Sequence, residues 1–265
     1  YDQVHLVLNE TNEGFAAGYN KAIAACSQPF VLILNTDVFL APDFIEVTLA
    51  ALAEYPEAGA ATGSVFQQGT GEWLNSGFFL RPQMRTEHSA NLDRAEAVFG
   101  CSGALILFRR EMLEDIRIEG QYFDEAYFSY GEDIDLAWRA QLLGWQARFT
   151  PGAKAHHVGS GSSDERLRFV DKPAFLQRHL LKNRYLTLVK NTSTGVLPYV
   201  LLPFILAEPL VWLYLLLRLP WRFPYLLLAL ADTGRHLPTA LRWRRQLMRR
   251  QRVSAAYIRQ FLRRV

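Results

Sequence analysis

The sequence predicts an α/β fold, a mostly parallel central sheet flanked by helices, followed by a helical region that associates with a membrane. Three observations carry this reading. Continuous apolar runs of strand length, Phe30–Leu34 and Ala104–Phe108, end in polar residues. Stretches with helical spacing alternate with them, as in Ile134, Trp138 and Leu142. Near the end, 22 largely apolar residues, Val196–Leu217, precede an arginine-rich tail. A chain of 265 residues, 50% hydrophobic, buries a large core and exceeds one typical domain, so 1–168 read as the main domain and 169–265 as an appended helical region.

In chain order, Val4–Leu8 reads as a strand, then a loop Asn9–Gly14 and a small-residue helix from Phe15 to about Cys26. Neither a charged n-region nor a cleavable apolar stretch precedes that strand, so no signal peptide is expected. The loop and helix start, NETNEGFAAGYN, carry Asn12, Gly14, Gly18 and Asn20. Glycines permit close backbone approach and amides both donate and accept, which suits a nucleotide; an Asn-Gly turn capping a helix accounts for the same residues, and the spacing fits neither a P-loop nor a dinucleotide fingerprint.

Phe30–Leu34 ends directly in Asn35-Thr36-Asp37. Ligands of open α/β sheets gather beyond the carboxyl ends of strands, so Asp37 is placed where a metal-bound diphosphate would sit. A carboxylate suits magnesium or manganese, which keep positions open for phosphate oxygens. The alternative is a turn cap ahead of a helix beginning at Pro42. Further on, Ala58–Ser64 and Gly77–Leu80 read as strands, Gln67–Asn75 as a turn or loop, and Arg81–Glu96 as an irregular surface excursion. Tyr122, Phe123, Tyr127, Phe128 and Tyr130 crowd the approach to the next helix, where core packing and sugar stacking both explain aromatic residues.

That helix opens the stretch SYGEDIDLAWRAQLLG, Ser129–Gly144, with three acids in four residues. A start after Gly131 puts Glu132 and Asp133 in the first turn, beside backbone N–H groups without internal partners, where an ionised carboxylate is favoured. Asp135 has Arg139 four residues on, the spacing of an intrahelical ion pair of a few tenths of a kcal/mol. Asp133 has no such partner, since Leu136 and Ala137 occupy those positions, which leaves it for catalysis. After Gly144, Trp145–Phe149 reads as an edge strand and Pro151–Ser160 as a loop. In extended backbone, His156 and His157 point to opposite sides, so one of them enters a site.

Cys26 and Cys101, in apolar company and without CxxC spacing, read as buried thiols of a reducing compartment. The net charge of +3 conceals an asymmetry: ten arginines and no acid stand from Arg235 onward, so the preceding 234 residues carry −7. A phosphate-binding groove for nucleic acid would spread positive charge over the folded domain, so no nucleic-acid partner is expected.

Taken together, NEGFAAGYN, LILNTD, GCSGALILFRREM, FDEAYFSYGEDIDLAWRAQLLGW and PGAKAHHVGS resemble, in unbroken order from Val4 to Ser163, the bacterial family 2 glycosyltransferases, in particular their rhamnosyltransferase-like branch. The resemblance implies a GT-A fold, a nucleotide-diphospho-sugar donor, rhamnose among the candidate sugars, a divalent metal (Mg2+ or Mn2+) and inversion at the anomeric carbon. It implies that Asp37 is the metal ligand of a DxD-like motif, that His157 completes metal or diphosphate binding with His156 as fallback, and that Asp133 is the general base. By the same resemblance Asn12, Gly14, Phe15, Gly18, Asn20, Asn35 and Asp37 face the nucleotide-sugar, while Gly103, Asp124, Glu125 and Glu132 face the acceptor or its sugar. Members open with a strand-helix-strand unit that reads base and ribose, and no counterpart precedes Val4, so an inactive, transferase-like binding or scaffold protein is the alternative in another class.

The chemistry agrees with transfer. Inversion needs one carboxylate on the acceptor hydroxyl and a metal on the departing diphosphate. A glycoside hydrolase needs two carboxyl groups facing each other, and Asp133 and Asp135, two apart on a helix, diverge. Val196–Leu217 is long enough to span a bilayer, but Glu208 and Pro198, Pro203 and Pro209 argue for broken helices lying in one leaflet, with Trp212, Trp221 and Tyr225 at the interface and the arginines on anionic lipid headgroups. A solvated basic helix is the alternative for the tail. The expected acceptor is a polyprenyl-diphosphate-linked glycan at the cytoplasmic face of the bacterial inner membrane, in cell-surface polysaccharide synthesis.

Overall fold

The computed structural model describes residues 4–75, 77–89, 93–158 and 169–262; Gly159 and Ser160 of the last motif and Arg263 and Arg264 of the tail lie outside them. Strands β1 (Phe30–Leu34), β2 (Val38–Leu40), β3 (Ala58–Gln67), β9 (Leu105–Arg109) and β10 (Gln146–His157) form one sheet in the order β1-β9-β3-β10-β2. β4 (Trp73–Asn75) pairs with β3, and β7 (Glu96–Val98) with β10. A small second sheet joins β5 (Gly77–Arg81) to β6 (Arg85–His88) and β8 (Gly100–Cys101).

The sheet is mixed rather than mostly parallel. Among its described pairings β3 with β10 is parallel, whereas β9 runs antiparallel to both its neighbours. This reversal positions the site. Leu34 is opposite Leu105, so the exit of β1 meets the entrance of β9, and the Asn35 amide donates to the Ala104 carbonyl at 3.0 Å.

The expected strand Val4–Leu8 does not form. Those residues have no strand pairing, and Val4, Leu6, Val7 and Leu8 stand exposed, because an apolar alternation makes a strand only where an edge accepts its backbone bonds. The expected edge strand Trp145–Phe149 and the loop after it are instead one strand, β10, lying in the sheet between β3 and β2. Pro151 is tolerated because the register with β3 shifts between Thr150 and Lys154, a bulge that removes the need for its missing N–H. Segment 81–96, expected to be irregular, contributes β6. Cys26 is exposed and only Cys101 is buried, since Cys26 falls just beyond the end of α1 (Gly14–Ala24).

Helices α2 (Phe44–Glu54), α3 (Arg110–Ile116) and α4 (Glu132–Leu142) flank the sheet. α4 is seated by Trp138 and Leu142 in the core and by Gln141, whose Nε2 donates to the Val98 and Phe99 carbonyls at 3.0 Å each. The region from residue 169 onward packs into the core of the residues before it. Val196, Val200, Trp243, Leu247 and Phe261 share one hydrophobic cluster with Phe78, Phe123 and Trp138. α5 (Ala174–Asn191) packs on α7 (Phe223–Arg250), and the segment after α8 (Ala255–Arg259) reaches β5, where the Leu80 amide donates to the Phe261 carbonyl.

α6 (Leu197–Arg218) is one unbroken helix of 22 residues despite Pro203 and Pro209 within it, a correction to the broken helices expected. Each proline forfeits one backbone bond, and packing of Val200 and Phe204 into the core and Leu215 against α7 holds the rest together. Glu208 turns inward, pairing with Arg184 of α5 at 2.7 Å and accepting from the Tyr185 hydroxyl. The opposite face leaves Leu202, Leu206, Leu210 and Leu217 over 60% exposed. The arginines that follow do not act as a block: Arg242 is bidentate on Glu119, Arg252 is bidentate on Asp115, and Arg244 holds the Val189 carbonyl.

Candidate active site

The site is built on the turn ahead of α4. Phe128, Tyr130 and Gly131 all have positive φ, at 61°, 69° and 85°, a costly run for two non-glycine residues. Tertiary contacts hold it. The buried Asn183 amide of α5 donates to the carbonyls of Tyr127, Ser129 and Tyr130 at 2.9, 3.0 and 2.6 Å. Gly14 closes the other side, where its φ of 85° and the Phe128 carbonyl, 2.5 Å from where a Cβ would stand, admit no side chain.

This turn presents Asp133. Its Oδ2 accepts from the Gly103 amide at 3.1 Å and its Oδ1 from the Ile134 amide at 2.8 Å, which orients the carboxylate. Gly103 also touches Phe15, whose ring lies 3.2 Å from a Cβ built there, so Phe15, Gly103 and Asp133 converge. Glu132 is buried, and desolvation together with the neighbouring Asp133 charge pushes its carboxyl well above the usual range. Among the described residues its Oε2 has no hydrogen-bond partner.

Asp135 departs from the weak surface pair expected. It is fully buried, 3.0 Å from Arg139 and 2.8 Å from Lys190, and accepts from Asn191 at 2.7 Å. Burial alone would raise its carboxyl, but Lys190 and Arg139 outweigh it and hold the group below its ordinary value. Removing one member of such a network costs several kcal/mol rather than tenths.

A cavity of about 1060 Å³ opens over Asp133, and Phe15, Asn35, Gly103 and Glu132 line it too. Asp37 and His157 lie off this wall and form their own pair, Oδ2 to Nε2 at 3.0 Å. His157 ends β10 opposite Val38, so antiparallel pairing with β2 brings it beside Asp37; His156 faces the other way and is exposed. The His157 Nε2 is buried and, among the described residues, makes no well-angled hydrogen bond despite that distance, an unsatisfied nitrogen beside a carboxylate. Two ligands of one octahedral cation at roughly 2.1 Å each stand about 3 Å apart, so the pair fits a divalent metal. Among the described residues no group of three or more His, Cys, Asp or Glu gathers, so such a cation would take its remaining ligands from substrate and water.

Other expected site residues have structural work. Asn20 is buried, its Oδ1 accepting from the Tyr122 and Phe123 amides and its Nδ2 donating to the Phe123 carbonyl and Glu125. Asp124 is buried on Lys190 and caps the short turn that follows through the Ala126 amide. Glu125 is tied to Asn20 outside the cavity. Asn12 accepts from the Gly14 amide at 3.0 Å, and nothing stands within 4 Å of a Cβ at Gly18; neither lines the cavity. An amide that binds a ligand and one that staples a loop are the same letter, and at Asn20 the structure shows the loop contacts. Sequence reasoning also missed Asn183 and the cavity-lining Arg81, Arg85, Lys172 and Arg184; a cluster of bases around segment 81–85 was the available signal.

Residues 1–174 match the family described as "Glycosyltransferase like family 2". The N-acetylglucosaminyl-diphospho-decaprenol L-rhamnosyltransferase of Mycobacterium tuberculosis is 28% identical over 193 residues, 60% of this chain and 62% of that protein. The amylovoran biosynthesis glycosyltransferase AmsB of Erwinia amylovora is 27% identical over 148 residues, 54% of this chain and 46% of its own length. The chain thus spans less than two thirds of either relative. Among solved structures, GalNAc-T7 with UDP, GalNAc and Mn2+ superposes with a TM-score of 0.52 at 12% identity, over 69% of this chain and 35% of that one, a likeness of fold.

Proposed function

The chain belongs to glycosyltransferase-like family 2, and from that premise we propose that it moves a sugar, with inversion, from a nucleotide-diphospho-sugar to a hydroxyl of a membrane-displayed, polyprenyl-diphosphate-linked glycan. The observation that carries the mechanism is Asp133: a carboxylate at the cavity wall, oriented by two backbone amides. It accepts the proton of the acceptor hydroxyl as the new bond forms. Burial and the neighbouring Asp133 charge raise the carboxyl of Glu132 beside it, which favours its protonated form. Asp135, sealed against Arg139 and Lys190, cannot supply the facing carboxyl that a hydrolase requires.

Asp37 and His157 would hold a divalent cation, Mg2+ or Mn2+. When bound it would neutralise charge on the departing diphosphate. Asn35, two residues before Asp37, lines the cavity and links donor and acceptor sides; Phe15 and Gly103 shape the space around the sugar. Gly14 and Gly18 belong to the donor side through α1. The name of the mycobacterial relative supports rhamnose as the sugar and a diphospho-polyprenol as the carrier.

Membrane association is supported by α6, the one described helix long and apolar enough to cross a bilayer, 17% buried across its most apolar stretch. With Glu208 drawn inward, its exposed face meets hydrocarbon while the catalytic body stays in water, at the cytoplasmic face of a bacterial membrane where nucleotide-sugars are made.

Incubating the full chain with a panel of nucleotide-diphospho-sugars, Mn2+ or Mg2+ and a synthetic N-acetylglucosaminyl-diphospho-polyprenol tests this by mass shift of the lipid. One donor should transfer, and Asp133→Asn should abolish it. Donors that bind without any transfer would give the chain to the binding-protein reading.

A further inference from the structure

The cavity over Asp133 does not end at the catalytic residues. α6 lines it too, through Leu210 and Tyr214, both of which are also exposed at the surface. Arg184 connects the two ends. Its neighbour Asn183 holds the turn that presents Asp133, its own Nη1 reaches Glu208 of α6 at 2.7 Å, and its Nη2 donates to the Gln83 carbonyl between β5 and β6 at 3.2 Å. Arg81 and Arg85 flank that same turn and line the same cavity.

The lining therefore combines a carboxylate, three guanidinium groups and apolar side chains of α6, which is long and apolar enough to cross a bilayer. Arg81 spends its Nε on Glu87 at 2.6 Å and Arg184 spends Nη1 on Glu208, but a guanidinium has five N–H donors and each keeps others. Arg85 is exposed, and its side chain makes no hydrogen bond or ion pair among the described residues. Planar forks of this kind match phosphate oxygens bidentately.

We propose that this groove seats the diphosphate of the lipid-linked acceptor and the first isoprenoid units behind it, Arg81, Arg85 and Arg184 on the phosphates and Leu210 and Tyr214 on the hydrocarbon. The inference rests on the transfer reading above and deepens it. The lining offers what such an acceptor needs, with Arg184 joining the turn before Asp133 to α6: a carboxylate for the sugar hydroxyl, arginines for the diphosphate and apolar side chains for the polyprenyl chain. A nucleotide's diphosphate is the other source of the same chemistry, and the groove fits it less well because the Asp37–His157 pair lies off this wall while the apolar helix lies on it.

Titrating the full chain in one detergent with farnesyl diphosphate, inorganic pyrophosphate, and uridine and thymidine diphosphates with Mn2+ tests it. Arg85→Glu, at an exposed position without contacts to lose, should weaken farnesyl diphosphate about tenfold or more, the effect of losing a charge-assisted hydrogen bond, and leave nucleotide binding and the melting temperature unchanged. Leu210→Gln should weaken farnesyl diphosphate but not pyrophosphate. Unchanged farnesyl diphosphate affinity in Arg85→Glu overturns the proposal; an equal loss of nucleotide affinity overturns it too, giving the arginine to the donor. The transfer reading fails separately: no sugar moved from any donor, with farnesyl diphosphate binding still sensitive to Arg85→Glu, leaves the groove standing without the enzyme.

Discussion

His157 Nε2 lies 3.0 Å from Asp37 Oδ2, although 120 residues separate them in the chain. β10 and β2 bring them together by antiparallel pairing, His157 opposite Val38, and the contact is too poorly angled to count as a hydrogen bond. The proposed cation would sit between the two. Asp37→Asn or His157→Ala should therefore weaken Mn2+-dependent donor binding by on the order of 100-fold, at least what the loss of an outer-shell partner costs. Electron paramagnetic resonance of Mn2+ with and without nucleotide reads this directly, and a wild-type signal in both variants sinks the assignment.

Asp133→Asn keeps the side-chain size and removes the proton acceptor, so transfer should fall by about two to four orders of magnitude with donor affinity nearly unchanged. Asp135→Asn should fail differently. It leaves Lys190 and Arg139 buried beside a neutral group and should destabilise the fold by about 3–5 kcal/mol. Transfer rates, donor titrations and denaturant melts on the two variants separate the roles; equal melts for both would refute the distinction.

Glu119 fastens α7 to the main body, accepting from Arg242, Trp243 and Gln246. The Arg242 hydrogen bond, above all, lowers its carboxyl from 4.5 to about 2. A depressed carboxylate contributes stability that is present above the unfolded value and lost as pH falls through the folded one. The fluorescence of Trp243 should hold steady above pH 4.5 and change between there and about 2. Glu119→Gln should remove that dependence; a profile identical to the parent would place the acid transition elsewhere.

Deleting residues 196–265 would strip Val200, Trp243, Leu247 and Phe261 from the shared core, so loss of membrane binding in such a variant would report unfolding. Substituting only the exposed face of α6 avoids this. Leu202, Leu206, Leu213 and Leu217 changed together to Gln should release the protein from anionic vesicles in a sedimentation assay without lowering its melting temperature. Retention on the vesicles would assign the anchor to another surface.

The sequence by itself determined the alternation of strands and helices, the exit of Phe30–Leu34 into Asn35-Thr36-Asp37, the helix start that carries Asp133 in its first turn, and the apolar stretch of α6. These rest on periodicity and local spacing, which side chains carry with them. Tertiary structure decided the rest. Whether Val4–Leu8 becomes a strand depends on an edge to pair with, whether Asn20 faces a ligand or the loop at Tyr122 depends on which backbone groups lie opposite, and whether Glu208 is costly in an apolar helix depends on Arg184 and Tyr185 from another helix. Each is settled by partners distant in the chain, since a polar group's cost or role is fixed by what satisfies it rather than by its neighbours in sequence.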